Sequence, residues 1–216
     1  MSVNRTISVL AVTLALVAGP VGASAAGKSG IKGPAASSIA EQTLSAVEVD
    51  NLMYMREEEK LARDVYLTMF DAWGLAVFDN IAASEQTHTD SVKDMIEKYR
   101  LADPVVDDSI GVFVNQELAT LYAKLIARGT QSSLEALHVG AYIEEVDMVD
   151  LARAIEATDN ADIRQLYENL MSGSRNHLRA YVGQIENLGV VYEAQYLSQD
   201  EVDAIVDSPI ERGRRR

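Results

Sequence analysis

Between Ser45 and Leu188 the apolar residues recur mostly at spacings of three and four, the period of a helix, rather than two. That span holds one proline, Pro104, and no long β-branched run. The pattern predicts four long helices, over 45–73, 78–99, 133–157 and 162–188. Gly74, the Asp103-Pro104 turn, Thr158-Asp159-Asn160 and Gly189 end them in that order. A shorter helical pattern, 115–128, closed by Gly129, falls between the second and third. Ser132 or Ser133, and Asn160, are the expected N-caps. A small helix over 198–206 is expected to dock outside. Short, long, short connections predict an all-α, antiparallel four-helix bundle, with a long crossover that carries the extra short helix.

The N-terminal pattern is different. Arg5 is the only charge in the first 27 residues, an apolar run follows from Ile7 to Ala18, and small residues occupy 23–26. This is the pattern of a secretory signal, over 1–26, with cleavage expected after Ala25 or Ala26. The run is too short for a comfortable membrane span. Residues 27–44, rich in Gly, Ala, Ser and Lys, read as a flexible linker. The helical domain is then 45–206, followed by a basic tail, 207–216. The mature chain is expected to be exported, periplasmic or extracellular, with no stable membrane insertion.

Composition narrows the chemistry. Nineteen Lys and Arg against 33 Asp and Glu give a net charge of −14, which argues against nucleic acid as a partner. No cysteine means no disulfide, thiolate nucleophile, iron–sulfur cluster or cysteine-bound zinc. Histidine and carboxylate chemistry remains, and there are only three histidines.

Two of those histidines lie on inward helix faces. On a wheel of 100° per residue, Ile81, Val92, Met95, Ile96 and Tyr99 set the apolar centre of the second long helix. Glu85 and His88 fall within roughly 30–40° of it. In the fourth, His177 and Ser174 fall inside the apolar face. In the third, Glu144 falls inside, with Glu145 and Asp147 towards opposite margins. In the first, Glu58 and Glu59 flank the centre while Glu57 points away, as a solvated side chain with Arg56, Lys60 and Arg63 as nearby ion-pair partners. His138 is expected to be exposed, and Arg175 and Arg179 to make surface ion pairs. An unpaired buried charge is costly, so four polar mid-points facing one interior call for compensation. Two divalent cations supply it, bridged by carboxylates and completed by neutral imidazoles. The candidates are Glu58 or Glu59, Glu85 with His88, Glu144, and His177, with Tyr66, Asp147, Ser174 and Tyr181 close by. Ser174-x-x-His177 is one carboxylate short of a Glu-x-x-His pair.

At these residues the chain resembles the ferritin-like superfamily. Glu59-x-x-Ala62-x-x-x-Tyr66 is similar to the first helix of a ferritin or rubrerythrin, and the similarity picks Glu59 as ligand. Glu85-Gln86-Thr87-His88 is similar to the second-helix ligand pair, and Glu144-x-x-Asp147 to the third-helix carboxylate pair of rubrerythrins. Together, EEEKLARDVY, SEQTH, VGAYIEEVDMVDL and GSRNHLRAY resemble a bacterial and archaeal ferritin-like family of unknown function, over about 52–205. The resemblance implies a four-helix ferritin-like fold and a di-iron site, with Glu59, Glu85, His88, Glu144 and His177 as its candidate ligands, but no particular reaction; with Ser174 on the fourth helix, one metal, two with extra water, or none are the alternatives. The three glutamates would bridge or cap, and the histidines would bind terminally. Ser174 departs from the pattern, since it stands where rubrerythrin-like proteins carry Glu.

The expected cofactors are two divalent metal ions, iron first and manganese second. The expected chemistry is Fe(II) oxidation with O2 or peroxide as partner. The alternatives are a metal sensor or buffer without turnover, and a metal-free helical interaction protein. A homodimer is compatible with each.

Overall fold

The structure, a computed structural model, describes residues 43–212. The expected signal segment and most of the linker, and the arginines at 214–216, lie outside the described residues. Within them the chain is all-helical, with six helices and no strand: α1 (Ala46–Trp73), α2 (Ala76–Lys98), α3 (Gln116–Gly129), α4 (Ser133–Ala157), α5 (Ala161–Asn187) and α6 (Gln199–Val206). The boundaries fall within two residues of those the periodicity predicts. None of these helices is long and apolar enough to cross a membrane.

Local chemistry fixes the ends. Ser45 and Glu48 form a reciprocal capping box at the start of α1. Gly74 ends α1 in the left-handed region, at φ 65°, where glycine carries no Cβ penalty. Ser132 caps α4 through Glu135 N. Asn160 holds the N-cap position of α5 but does not cap it. Its Nδ2 donates instead to Glu48 Oε1, at 2.8 Å, and Thr158 Oγ1 donates to the same oxygen at 2.6 Å. Glu48 thereby ties the start of α1 to the α4–α5 turn.

The four long helices pack in a ring. Contacts of Arg56 with Thr89 and of Arg63 with Gln86 set α1 antiparallel to α2. Pairing of Asp147 with Ser174, and of Gly140 with Tyr181, sets α4 antiparallel to α5. α1 also packs on α4, and α2 on α5. Apolar residues form two separate layers. One holds Tyr66, Phe78, Leu137, Leu178, Tyr181 and Val182. The other holds Leu52, Val92, Ile96, Leu151, Ile163 and Leu170. The polar mid-points of the four helices lie between these layers.

The crossover from α2 to α4 runs along α1 and corrects two expectations. Glu57 is buried, not solvated: its carboxylate accepts from Val114 N at 2.6 Å and Asn115 N at 3.0 Å, where α3 begins. Arg56, Lys60 and Arg63 do not pair with the Glu57–Glu59 run. Arg56 pairs with Asp103, Lys60 with Asp64, and Arg63 with Asp64 and Asp108. Lys60 Nζ also donates to Ser109 O, and Gly111 N to Asp64 Oδ2, both at 2.9 Å. Gly111, at φ +81°, leaves room for the Tyr122 ring, which a Cβ would meet at 2.9 Å. The wheel assumed one solvent face, whereas α1 is covered by α2, α4 and the crossover. Every residue from Met55 to Tyr66 is buried in consequence.

The C-terminal arm docks similarly. Glu145 accepts from Tyr192 OH and from the backbone N–H groups of Gln195, Tyr196 and Leu197. His138 is half-buried rather than exposed, stacked on Tyr192 with ring centroids 5.7 Å apart. Arg175 and Arg179 pair with Glu211; the Arg175 pair is partly exposed as expected, whereas the Arg179 side chain is largely buried beneath Ile205 and Ser208. The described part of the expected tail, 207–212, is therefore held on α5 through Ser208 and Glu211.

Candidate functional site

The polar layer gathers side chains from all four long helices. α1 contributes Glu58 and Glu59, α2 Glu85 and His88, α4 Glu144 and Asp147, and α5 Ser174 and His177. Helical spacing of three puts each α2, α4 and α5 pair on one face. Glu85 is central. Its Oε2 lies 2.7 Å from His88 Nδ1, and its Oε1 lies 2.7 Å from His177 Nδ1. The second contact is off the N–H axis, so it is ionic and leaves His177 Nδ1 without a hydrogen bond. Glu59 Oε2 is 3.3 Å from His88 Nδ1, and Glu144 Oε2 is 3.5 Å from His177 Nδ1. The two imidazoles stack, with centroids 5.4 Å apart. Ligand atoms of Glu85, His88 and His177 all lie within 4.8 Å of one another, close enough to share an ion.

A cavity of about 10 Å³ opens between Glu58, Glu59, Glu85, Glu144 and Asp147, with Ala62 and Ile143 as its apolar wall. That is roughly the space of one water-sized sphere. Five carboxylates line it, and the two imidazoles lie beside it, against Glu59, Glu85 and Glu144. Glu58 Oε2, Glu59 Oε1 and Asp147 Oδ1 are buried with no hydrogen-bond partner. Buried carboxylate oxygens are normally satisfied, and leaving them bare is costly.

The proton affinities reflect the surplus. Burial, with the Glu85 charge adding to it against the pull of His88, pushes Glu59 up from 4.5 to about 8. Burial and the charges of Asp150 and Glu59 push Glu58 well above the carboxylate range. Burial and the charges of Glu59 and Glu58 do the same to Asp147, and burial raises Glu144. Glu85 goes the other way: burial opposes its charge, but His177 and His88 outweigh burial and hold it low. Burial opposes the charge of His177 too, yet Glu85 and Glu144 lift it to about 10. Strongly perturbed groups gathered in one layer make it the candidate functional site.

Tyr66 donates to Glu144 Oε1 at 2.5 Å. Tyr181 packs on Tyr66 at 5.3 Å between centroids, and its hydroxyl has no hydrogen-bond partner. Ser174 Oγ lies 2.5 Å from Asp147 Oδ2.

A family model described as an uncharacterized protein domain, DUF2202, matches residues 48–209. The chain belongs to the DUF2202 family. The matched span of this DUF2202 chain contains every residue of the polar layer. An uncharacterized protein of Methanocaldococcus jannaschii, MJ0754, is 53% identical over 180 residues, covering 83% of this chain and 97% of the relative. A solved crystal structure of hypothetical protein MJ0754, from Methanococcus jannaschii, is similar with a TM-score of 0.77, covering 79% of this chain and 97% of that one.

Three neighbours of the polar layer in this DUF2202 chain carry weaker sequence signals. Asp150 adds a further negative charge beside Glu58, and its signal is the i, i+3 spacing from Asp147. Ser84 Oγ lies 3.0 Å from His177 Nε2. Gly173 sits against the His88 ring. Ser84 and Gly173 carry no pattern that a wheel would single out.

Proposed function

We propose that this chain is a ferritin-like four-helix protein that binds two divalent metal ions, iron first and manganese second, in its polar layer. The observation that supports it is the charge imbalance: five buried carboxylates, three with a bare oxygen, line one small cavity, and only two imidazoles lie beside them. Oxygen and imidazole donors without thiolate suit iron or manganese. Glu85 is the candidate bridge, because its two oxygens face different histidines. Glu59 and His88 would complete one pole, and Glu144 and His177 the other. Asp147 and Glu58 offer further oxygen donors, which answers the missing carboxylate at Ser174.

Two bound Fe(II) would supply two electrons, which with two protons reduce one hydrogen peroxide to two waters. The protein's part is to gather carboxylates that bound cations would keep ionised, and to keep Tyr66 on Glu144.

The test is metal per chain by plasma mass spectrometry after reconstitution with Fe(II) or Mn(II). About two ions per chain, lost in Glu59→Ala and His177→Ala, support the site. Consumption of O2 or peroxide with Fe(II) then separates turnover from storage or sensing. No metal above background would overturn the proposal.

A further inference from the structure

Resting on that di-metal reading, we propose that the two poles are unequal: His177 is a locked ligand and His88 a hinged one. The pole of Glu59, Glu85 and His88 is the exchangeable one, and Gly173 is its door. The two imidazoles face the interior alike, each by Nδ1. Their outer edges differ. His177 Nε2 is held by Ser84 Oγ at 3.0 Å. A hydroxyl that accepts from Nε2–H fixes the tautomer and leaves the Nδ1 lone pair inward. His88 Nε2 has no hydrogen bond among the described residues.

His88 instead lies against the bare backbone of α5. A Cβ at Gly173 would stand 2.4 Å from His88 Cε1 and 2.6 Å from Nε2. A glycine inside a helix destabilises it, so its presence here has a packing reason. That reason is room for the ring. The same gap opens outward: Gly173 and Ser84 are half-buried, and the His88 side chain is 15% exposed. His88 can therefore turn about its side-chain bonds towards solvent without displacing another side chain at Gly173. His177 cannot leave without breaking its bond to Ser84.

The full chain is loaded with Co(II), whose visible absorbance reports occupancy, and mixed with excess chelator. Release in two phases of equal amplitude is expected, the fast phase at least about tenfold faster. His88→Ala removes the fast phase alone. Gly173→Ala displaces the ring and weakens only the fast-released ion, by about tenfold. Ser84→Ala accelerates only the slow phase, by about 10- to 100-fold, and Ser84→Thr restores it. Circular-dichroism melts of each variant confirm folding. Release in a single phase, or Ser84→Ala and Gly173→Ala acting alike on both ions, would overturn the inequality while leaving the di-metal site standing. No Co(II) bound by the wild-type chain would overturn both.

Discussion

Ser174 Oγ lies 2.5 Å from Asp147 Oδ2 across the α4–α5 interface, and 3.0 Å from the Leu170 carbonyl. The one hydroxyl proton serves one of these acceptors at a time; when it goes to Leu170 O, a proton on Asp147 donates to Ser174 Oγ. The serine that replaces a carboxylate on α5 thus holds a carboxylate brought from α4. Ser174→Ala removes that hold, and a loss of about 1 kcal/mol is expected for one hydrogen bond. Asp147→Asn acts with opposite sign on the chelated protein. It removes a carboxyl that is ionised in the unfolded chain but must take up a proton to be buried, so the melting temperature should rise while metal affinity falls. Parallel melts and metal titrations check both signs.

The pH dependence of the chelated protein follows from the same surplus. Glu59 is raised from 4.5 to about 8, and His177 from 6.5 to about 10. Both hold protons more tightly when folded, so each contribution is full below the lower value and lost as pH rises through the upper one. Glu85, held low, acts oppositely, and its contribution is lost as pH falls below 4.5. The melting temperature should therefore be highest on the acid side of neutrality and decline up to about pH 10. Melts across about pH 5.5 to 9.5 with chelator present test this. A melting temperature that climbs over that range would contradict the buried carboxylate cluster.

Glu57 and Glu58 are neighbours with different duties. Glu57→Ala strips the acceptor from two backbone N–H groups at the start of α3, and a cost of about 2–3 kcal/mol is expected. That corresponds to a fall of very roughly 4–12 °C in a chain of this size. Metal content should stay the same. Glu58→Ala should reduce metal binding and leave the chelated protein no less stable. Equal behaviour of the two variants would contradict the placement of Glu57 outside the cavity.

The C-terminal arm depends on one side chain. Glu145→Ala removes the acceptor shared by Tyr192, Gln195, Tyr196 and Leu197. Amide exchange should accelerate at Gln195, Tyr196 and Leu197 and stay slow in α1. Exchange measured by mass spectrometry after digestion resolves the two regions.

Much of this was legible in the sequence, and the exceptions have one cause. The helix limits follow from Ser45, Gly74, Ser132 and the apolar period, all of which are local. Glu85, His88, Glu144 and His177 stood out because an apolar face carried them. Glu57, Lys60, Arg63 and Asp64 did not, because their partners Val114, Asn115, Ser109, Asp108 and Gly111 come from a crossover that has no period of its own. Glu145 looked marginal for the same reason, since its partners lie in an arm without regular structure. Ser84 and Gly173 were invisible because their significance is a distance to an imidazole on another helix.

The burial of α1 on every side from Met55 to Tyr66 decides where a reporter can be attached. The chain has no cysteine, so one introduced thiol would be a unique handle for a fluorophore or spin label. No position in the middle of α1 can carry it. The outer stripe of α2 at Ala83, Thr87, Asp90 and Asp94 is exposed, and places a label beside the polar layer without entering it.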